Sequence, residues 1–144
     1  VNKEEAARYF KLAADGGDVE SMHNYGYLLS EGIGVEMNKE EAARYIKKAA
    51  DAGMIESIHS YAYMCNEGEG VEVNKEEAAR YYKLAADGGI AEAMYNYGCM
   101  LSEGNGVQMD KIEALRYFKL SADHGYHDSV VKYKELCKYS ESSL

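Results

Sequence analysis

The sequence predicts an all-α fold, a solenoid of antiparallel helix pairs repeating every 36 residues. Three observations predict it. The segment "NKEEAARYFKLAADGG" at 2–17 returns at 38–53, 74–89 and, as "DKIEALRYFKLSADHG", at 110–125. The intervening stretches 18–35, 54–71 and 90–107 align with one another, and 126–143 is a degenerate copy. Both halves space their apolar residues three and four apart, which is the mark of a helix with one buried stripe. Residues 1–144 therefore read as a single repeat domain.

The first half of each unit, helix B, starts at Asn2, Asn38, Asn74 or Asp110. Asn and Asp side chains accept from the free N–H groups of a first turn, and Glu5 stands where a capping-box partner belongs. Glu4 and Glu5 place negative charge at the positive end of the helix dipole. Glu4 and Arg8 are four apart in the favourable order. Ala6, Tyr9, Phe10, Ala13 and Ala14 form the apolar stripe, and the aromatic pairs at Tyr9, Tyr45, Tyr81 and Tyr117 are expected in or near the core. Gly16 and Gly17 end the helix.

The second half, helix A, carries Met22, Tyr25, Leu28 and Leu29 along one side. Gly26 lies inside it, and Ala62 and Gly98 hold the same place, so the position requires a small residue for close helix packing. Gly32 stops the helix, and Gly34 and Val35 lead to the next cap. This GxGV loop before a helix start invites comparison with a phosphate cradle. No Lys-Ser/Thr pair follows it, no strand precedes it, and Glu31, Glu36, Glu40 and Glu41 surround it. Its recurrence at 32–35, 68–71 and 104–107 marks it as a joint between helices. One hairpin is too small to bury its own apolar faces, so neighbours must stack.

The pattern in "AMYNYGCMLSEGNGVQMDKIEALRYFKLSADHG" (93–125) and its sisters resembles the Sel1-like repeat family, which is related to tetratricopeptide repeats. The resemblance spans nearly the whole chain in three good copies, with a weak fourth A helix. It implies a right-handed α/α solenoid that acts as a non-enzymatic adaptor or scaffold, as members do in signalling, membrane-protein degradation and host–microbe contact. Tyr9, Tyr45, Tyr81 and Tyr117 stand where the family often has Trp. Some secreted members carry two Cys per repeat joining helices A and B, a pattern this chain lacks. In the last segment Lys134 replaces the small residue and "SESS" replaces GxGV.

Composition narrows the function. A net charge of -9 disfavours nucleic acid and anionic membrane surfaces, both of which call for Lys and Arg. No apolar run reaches the ~18 residues of a membrane helix. Three Cys (Cys65, Cys99, Cys137) form no CxxC pair, which favours a reducing, cytoplasmic setting. Cys65 and Cys137 share the core slot of Leu29 and Leu101, whereas Cys99 takes the more exposed slot of Tyr27 and Tyr63. His23 and His59 stand one repeat apart, too far to share a metal, and His124 and His127 flank a helix end, where capping or solvation suffices. No nucleophile has a base placed beside it, so no enzyme, cofactor or metal site is expected. The start at Val1 reads as a fragment or processed form of a longer protein.

Function is expected on the A helices. If these line the concave face, as the resemblance implies, their non-core positions face a groove. These are Glu20, His23, Tyr27 and Glu31, then Glu56, His59, Tyr63 and Glu67, then Glu92, Tyr95, Cys99 and Glu103, with Ser30, Asn66 and Ser102 beside them. A groove both aromatic and acidic suits a peptide or protein segment with Lys or Arg around an apolar anchor. The alternative is a structural spacer, or a segment that self-associates through helix 2–15, which has no A helix before it.

Overall fold

The computed structural model of the chain describes residues 2–142, with side chains through 139. Its regular elements are eight helices: α1 (Lys3–Asp15), α2 (Val19–Glu31), α3 (Lys39–Asp51), α4 (Ile55–Glu67), α5 (Lys75–Asp87), α6 (Ala91–Glu103), α7 (Lys111–Asp123) and α8 (His127–Ser142). Odd-numbered helices are the B type and even-numbered ones the A type. The chain divides into two compact units, Val1–Asn74 with α1 to α4 and Lys75–Leu144 with α5 to α8. Within each, consecutive helices pack as antiparallel neighbours.

The B helices start where the caps predict. The Asn2 carboxamide accepts from the Glu4 and Glu5 amides at 2.8 and 3.3 Å. Asn38 and Asp110 do the same for Glu41 and Glu113, each at 3.0 Å. The glutamate then turns to an arginine rather than back to the cap. Arg44, Arg80 and Arg116 pair with Glu41, Glu77 and Glu113 three residues back, instead of with a residue four back as the spacing suggests. A partner at three residues leaves each guanidinium lying over its neighbouring tyrosine ring, 4.6 Å from the centroid at Tyr45 and 4.5 Å at Tyr81 and Tyr117. At α7 the residue four back is Ile112, which has no charge to offer.

The joint is built on two kinds of glycine. Gly32 takes the left-handed conformation that ends α2, and Gly34 has φ +70°. A Cβ on Gly34 would run into the Lys3 carbonyl, so this loop is pressed against the first turn of the preceding B helix. Gly26 answers a different need. A Cβ there would sit 2.7 Å from the Ile46 side chain, and one on Gly98 would sit 2.8 Å from Phe118. The A and B helices of a pair thus approach at their small residues. Val35, which follows Gly34 toward the next cap, is half-buried.

The core holds Ala42, Ala43, Tyr45, Ile46, Ala49 and Ala50 of α3, and the same slots of α5. The tyrosines are more than apolar filler. Tyr45 donates its hydroxyl to Asp15 at 2.6 Å, and Tyr117 donates to Asp87 at 2.8 Å, in each case reaching the last residue of the preceding B helix. Their rings meet Tyr25 and Tyr97 edge-on at 4.9 Å. A tyrosine in this slot therefore ties successive repeats with a polar bond. Burial first, then the Asp87 bond, pushes the Tyr117 hydroxyl up to about 12.

Two expectations are corrected. Tyr9, placed in the core with its sisters, is 67% exposed while Tyr45, Tyr81 and Tyr117 are at 2%, 2% and 1%. Among the described residues no A helix precedes α1, so nothing lies where Tyr25 covers Tyr45. Cys137 is half-buried rather than buried like Cys65. Its helix is also longer: α8 runs 16 residues against 13 in the others, since no glycine stops it at the position of Gly104.

Candidate functional site

The spacing 20, 23, 27, 31 puts four side chains along one side of α2, away from the stripe of Tyr25 and Leu29. In the first unit, Glu20, Tyr27 and Glu31 of α2 are exposed, and so are Glu56, Tyr63 and Glu67 of α4. Tyr27 and Tyr63 are 55% and 49% exposed, an unusual share for a tyrosine flanked by core positions. The histidine slot behaves differently. His23 is half-buried, and its Nδ1 lies 2.7 Å from the hydroxyl of Ser57 on α4, so it links the two A helices. Burial lowers its pKa, and the Glu56 carboxylate partly offsets this. His59 repeats the half-burial. The face therefore has a histidine seam with an exposed tyrosine beyond it and glutamates at both ends. Glu67 accepts from the Asn66 side chain at 3.0 Å.

In the second unit the same slots on α6 hold Glu92, Tyr95, Cys99 and Glu103. Both glutamates are exposed, while Tyr95 and Cys99 are half-buried. Tyr95 occupies the histidine slot and leans inward, its ring 5.9 Å from Phe118 and 5.2 Å from Tyr126. Burial, and next the Cys99 thiol, push its hydroxyl up to about 12. Burial also pushes the Cys99 thiol up, which leaves it protonated and a poor nucleophile. Tyr27 and Tyr63 thus form one class of aromatic, and Tyr95 another.

The groove positions legible in the sequence end with α6. The corresponding slots of α8 are Asp128, Val131, Glu135 and Tyr139. Val131 and Tyr139 are 50% and 61% exposed, and the Lys111 ammonium sits 4.6 Å over the Tyr139 ring. Counting 36 residues on from α6 is the signal that finds them. Beside them a hollow of about 250 Å³ is lined by Ser102, Lys111, Phe118, Lys132, Leu136 and Tyr139. Its size lies below that of most small-molecule sites.

Among the described residues, no group of three or more His, Cys, Asp and Glu is placed to hold a metal ion. His124 sits at the end of α7, with its Nδ1 2.8 Å from the Leu120 carbonyl, a capping contact. No described helix is long and apolar enough to cross a membrane. What the A helices offer is surface: exposed aromatic rings set among carboxylates.

Comparison with known proteins gives this surface a context. The Sel1 repeat profile matches residues 1–18, 19–54, 55–90 and 91–126. Each full match is an A helix followed by a B helix, and 1–18 holds a B helix alone. A protective antigen of uropathogenic Escherichia coli with an SLR fold is 28% identical, with a TM-score of 0.93 over 97% of this chain and 30% of its own. A Sel1 repeat protein from Oxalobacter formigenes is 27% identical, with a TM-score of 0.76 over 92% of this chain and 53% of its own. Cysteine-rich protein B of Helicobacter pylori shares the fold at 20% identity and a TM-score of 0.66, over 88% and 90% of the two chains. The chain thus spans well under two thirds of the first two proteins. No curated protein matches it. Sel1-repeat proteins generally act in protein–protein interaction and are typically non-catalytic scaffolds. With the profile covering α1 to α7 and two solved Sel1-type structures overlaying nearly all of it, the chain belongs to the Sel1 repeat family.

Proposed function

We propose that this chain is a non-enzymatic adaptor whose A-helix face in the first unit binds a protein segment carrying Lys or Arg beside an apolar anchor. One observation carries the reading. Tyr27 and Tyr63 occupy equivalent places on α2 and α4, and both are about half exposed, where packing alone would favour a polar residue. Each has a glutamate one turn on, Glu31 and Glu67, and one two turns back, Glu20 and Glu56. A tyrosine supplies contact area at low entropic cost, and its ring face attracts cations. The glutamates steer a basic partner and set its salt dependence. On α6, Glu92 and Glu103 keep the acidic character, while Tyr95 and Cys99 offer a flatter, less exposed surface.

Titration of a fluorescent peptide with alternating Lys and Leu into the wild type and into Tyr27→Ala/Tyr63→Ala tests the reading. The double variant should stay folded and bind about 10-fold or more weakly, since interface tyrosines are commonly worth 1 kcal/mol or more each. Equal affinity in a folded double variant contradicts the proposal.

A further inference from the structure

We propose that the bound segment crosses α2 and α4 as a polyproline II helix with Lys or Arg at every third residue, an inference that rests on the A-face reading above. The spacing of the two helices carries it. Tyr27 and Tyr63 hold the same place on α2 and α4 and are 55% and 49% exposed. One turn before Tyr27, the His23 Nδ1 lies 2.7 Å from the hydroxyl of Ser57, which is fully buried on α4. A bond between two such short side chains holds the helices side by side, and the axes of packed helices stand about 8–10 Å apart. Equivalent side chains therefore recur across this face at about that interval. The carboxylates recur with the rings, Glu20 with Glu56 and Glu31 with Glu67, all four exposed.

That interval selects among backbone conformations. A strand shows every second side chain on one face, about 6.6–6.8 Å apart, and every fourth at about twice that, so neither pair matches. An α-helix brings residues seven apart to about 10.5 Å, but its body is about 10–12 Å wide and beds its apolar face in a hydrophobic groove. Here glutamates bracket each protruding ring, which breaks up any continuous apolar strip. A polyproline II helix has three residues per turn and rises about 3.1 Å per residue, so each of its three ridges repeats every ~9.3 Å. One ridge meets Tyr27 and then Tyr63. The next ridge sets a cation beside Glu31 and then Glu67.

The side chains suit such a segment. Aromatic surfaces dock proline ridges, and a tyrosine hydroxyl can donate to the carbonyls that this conformation leaves unbonded. The segment is already ordered before it binds, so a shallow face with few contacts can hold it. A second copy of this sequence does not supply it, since the sequence contains no Pro and carries the same net charge of -9.

Three fluorescent peptides of equal charge test this by anisotropy titration. One repeats Pro-Pro-Lys. The second has the same composition with its lysines alternately two and four residues apart, which keeps the conformation and breaks the register. The third alternates Lys and Leu. Each is titrated into the wild type and into Tyr27→Ala/Tyr63→Ala, whose helix content is checked by circular dichroism. The Pro-Pro-Lys peptide should bind the wild type about five-fold or more tighter than either of the others, and the double variant should erase that preference. Equal affinity for the two proline peptides, or tighter binding of the Lys/Leu peptide, overturns the proposal. In that case Lys/Leu binding that still depends on Tyr27 and Tyr63 leaves the A-face reading standing. Binding of all three that ignores both tyrosines, or no binding at all, overturns both.

Discussion

At the scale of single residues, the buried tyrosines join the repeats through their hydroxyls. Tyr45→Phe and Tyr117→Phe each remove one bond to an aspartate while keeping the ring, and each should cost about 1 kcal/mol in urea unfolding. Tyr9→Phe, with 67% of the residue exposed, should cost nothing measurable. Burial of the Tyr117 ring, and then these bonds, set the pH response. Tyr117 in the fold holds its proton up to about 12, against 10.0 for a free tyrosine. A raised folded value means that the contribution is complete below pH 10 and falls away as pH climbs toward 12. An alkaline series of unfolding midpoints should show this drop, reduced in Tyr117→Phe. Asp15 has the opposite sign, because the Tyr45 hydroxyl and then Lys11 hold its carboxyl below the ordinary 3.8. Its contribution is complete above that value and is lost as pH falls through the lower folded one. Asp15→Asn should flatten that part of the acid limb. Nothing local in the sequence announces these bonds, which join residues 30 apart.

At the scale of elements, the joint between A and B helices is where substitutions should discriminate most. Gly34→Ala places a Cβ against the Lys3 carbonyl at φ +70°, so it should cost about 2–3 kcal/mol. Gly17→Ala, at φ +100° with nothing within 4 Å, pays backbone strain alone and should cost about 1 kcal/mol. Thermal unfolding of the two variants side by side checks the order. The elements themselves were legible in the sequence. Asn2, Asn38 and Asp110 mark starts, Gly32 and its equivalents mark stops, and the 36-residue echo shows that Gly26, Ala62 and Gly98 share one demand. What the echo hid was the difference between equivalent residues. Tyr9 reads like Tyr45, yet among the described residues no A helix lies over it. Tyr95 reads as one more groove aromatic, yet it stands in the histidine slot and packs on Phe118 and Tyr126. Repeat periodicity reports what a position needs on average, and a chain end or an inward-turned ring departs from that average.

At the scale of the whole molecule, a Sel1 chain with a net charge of -9 carries exposed Tyr27, Tyr63 and Tyr139 on its A helices, and the proposed role is to present that surface to a partner. Salt should separate the two parts of that surface. Raising ionic strength should slow association of a basic peptide several-fold through the glutamates and leave the tyrosine contribution largely in place. Stopped-flow association rates across a salt series, compared between wild type and Glu31→Gln/Glu67→Gln, should show the steeper slope in the wild type. The most direct test of the central claim is an NMR titration that follows every tyrosine ring as the Lys/Leu peptide is added. The account predicts that Tyr27 and Tyr63 move together and saturate at one peptide concentration, while the buried Tyr45 and Tyr117 stay in place. A titration in which Tyr27 and Tyr63 remain unmoved while bound peptide shifts other rings would contradict it.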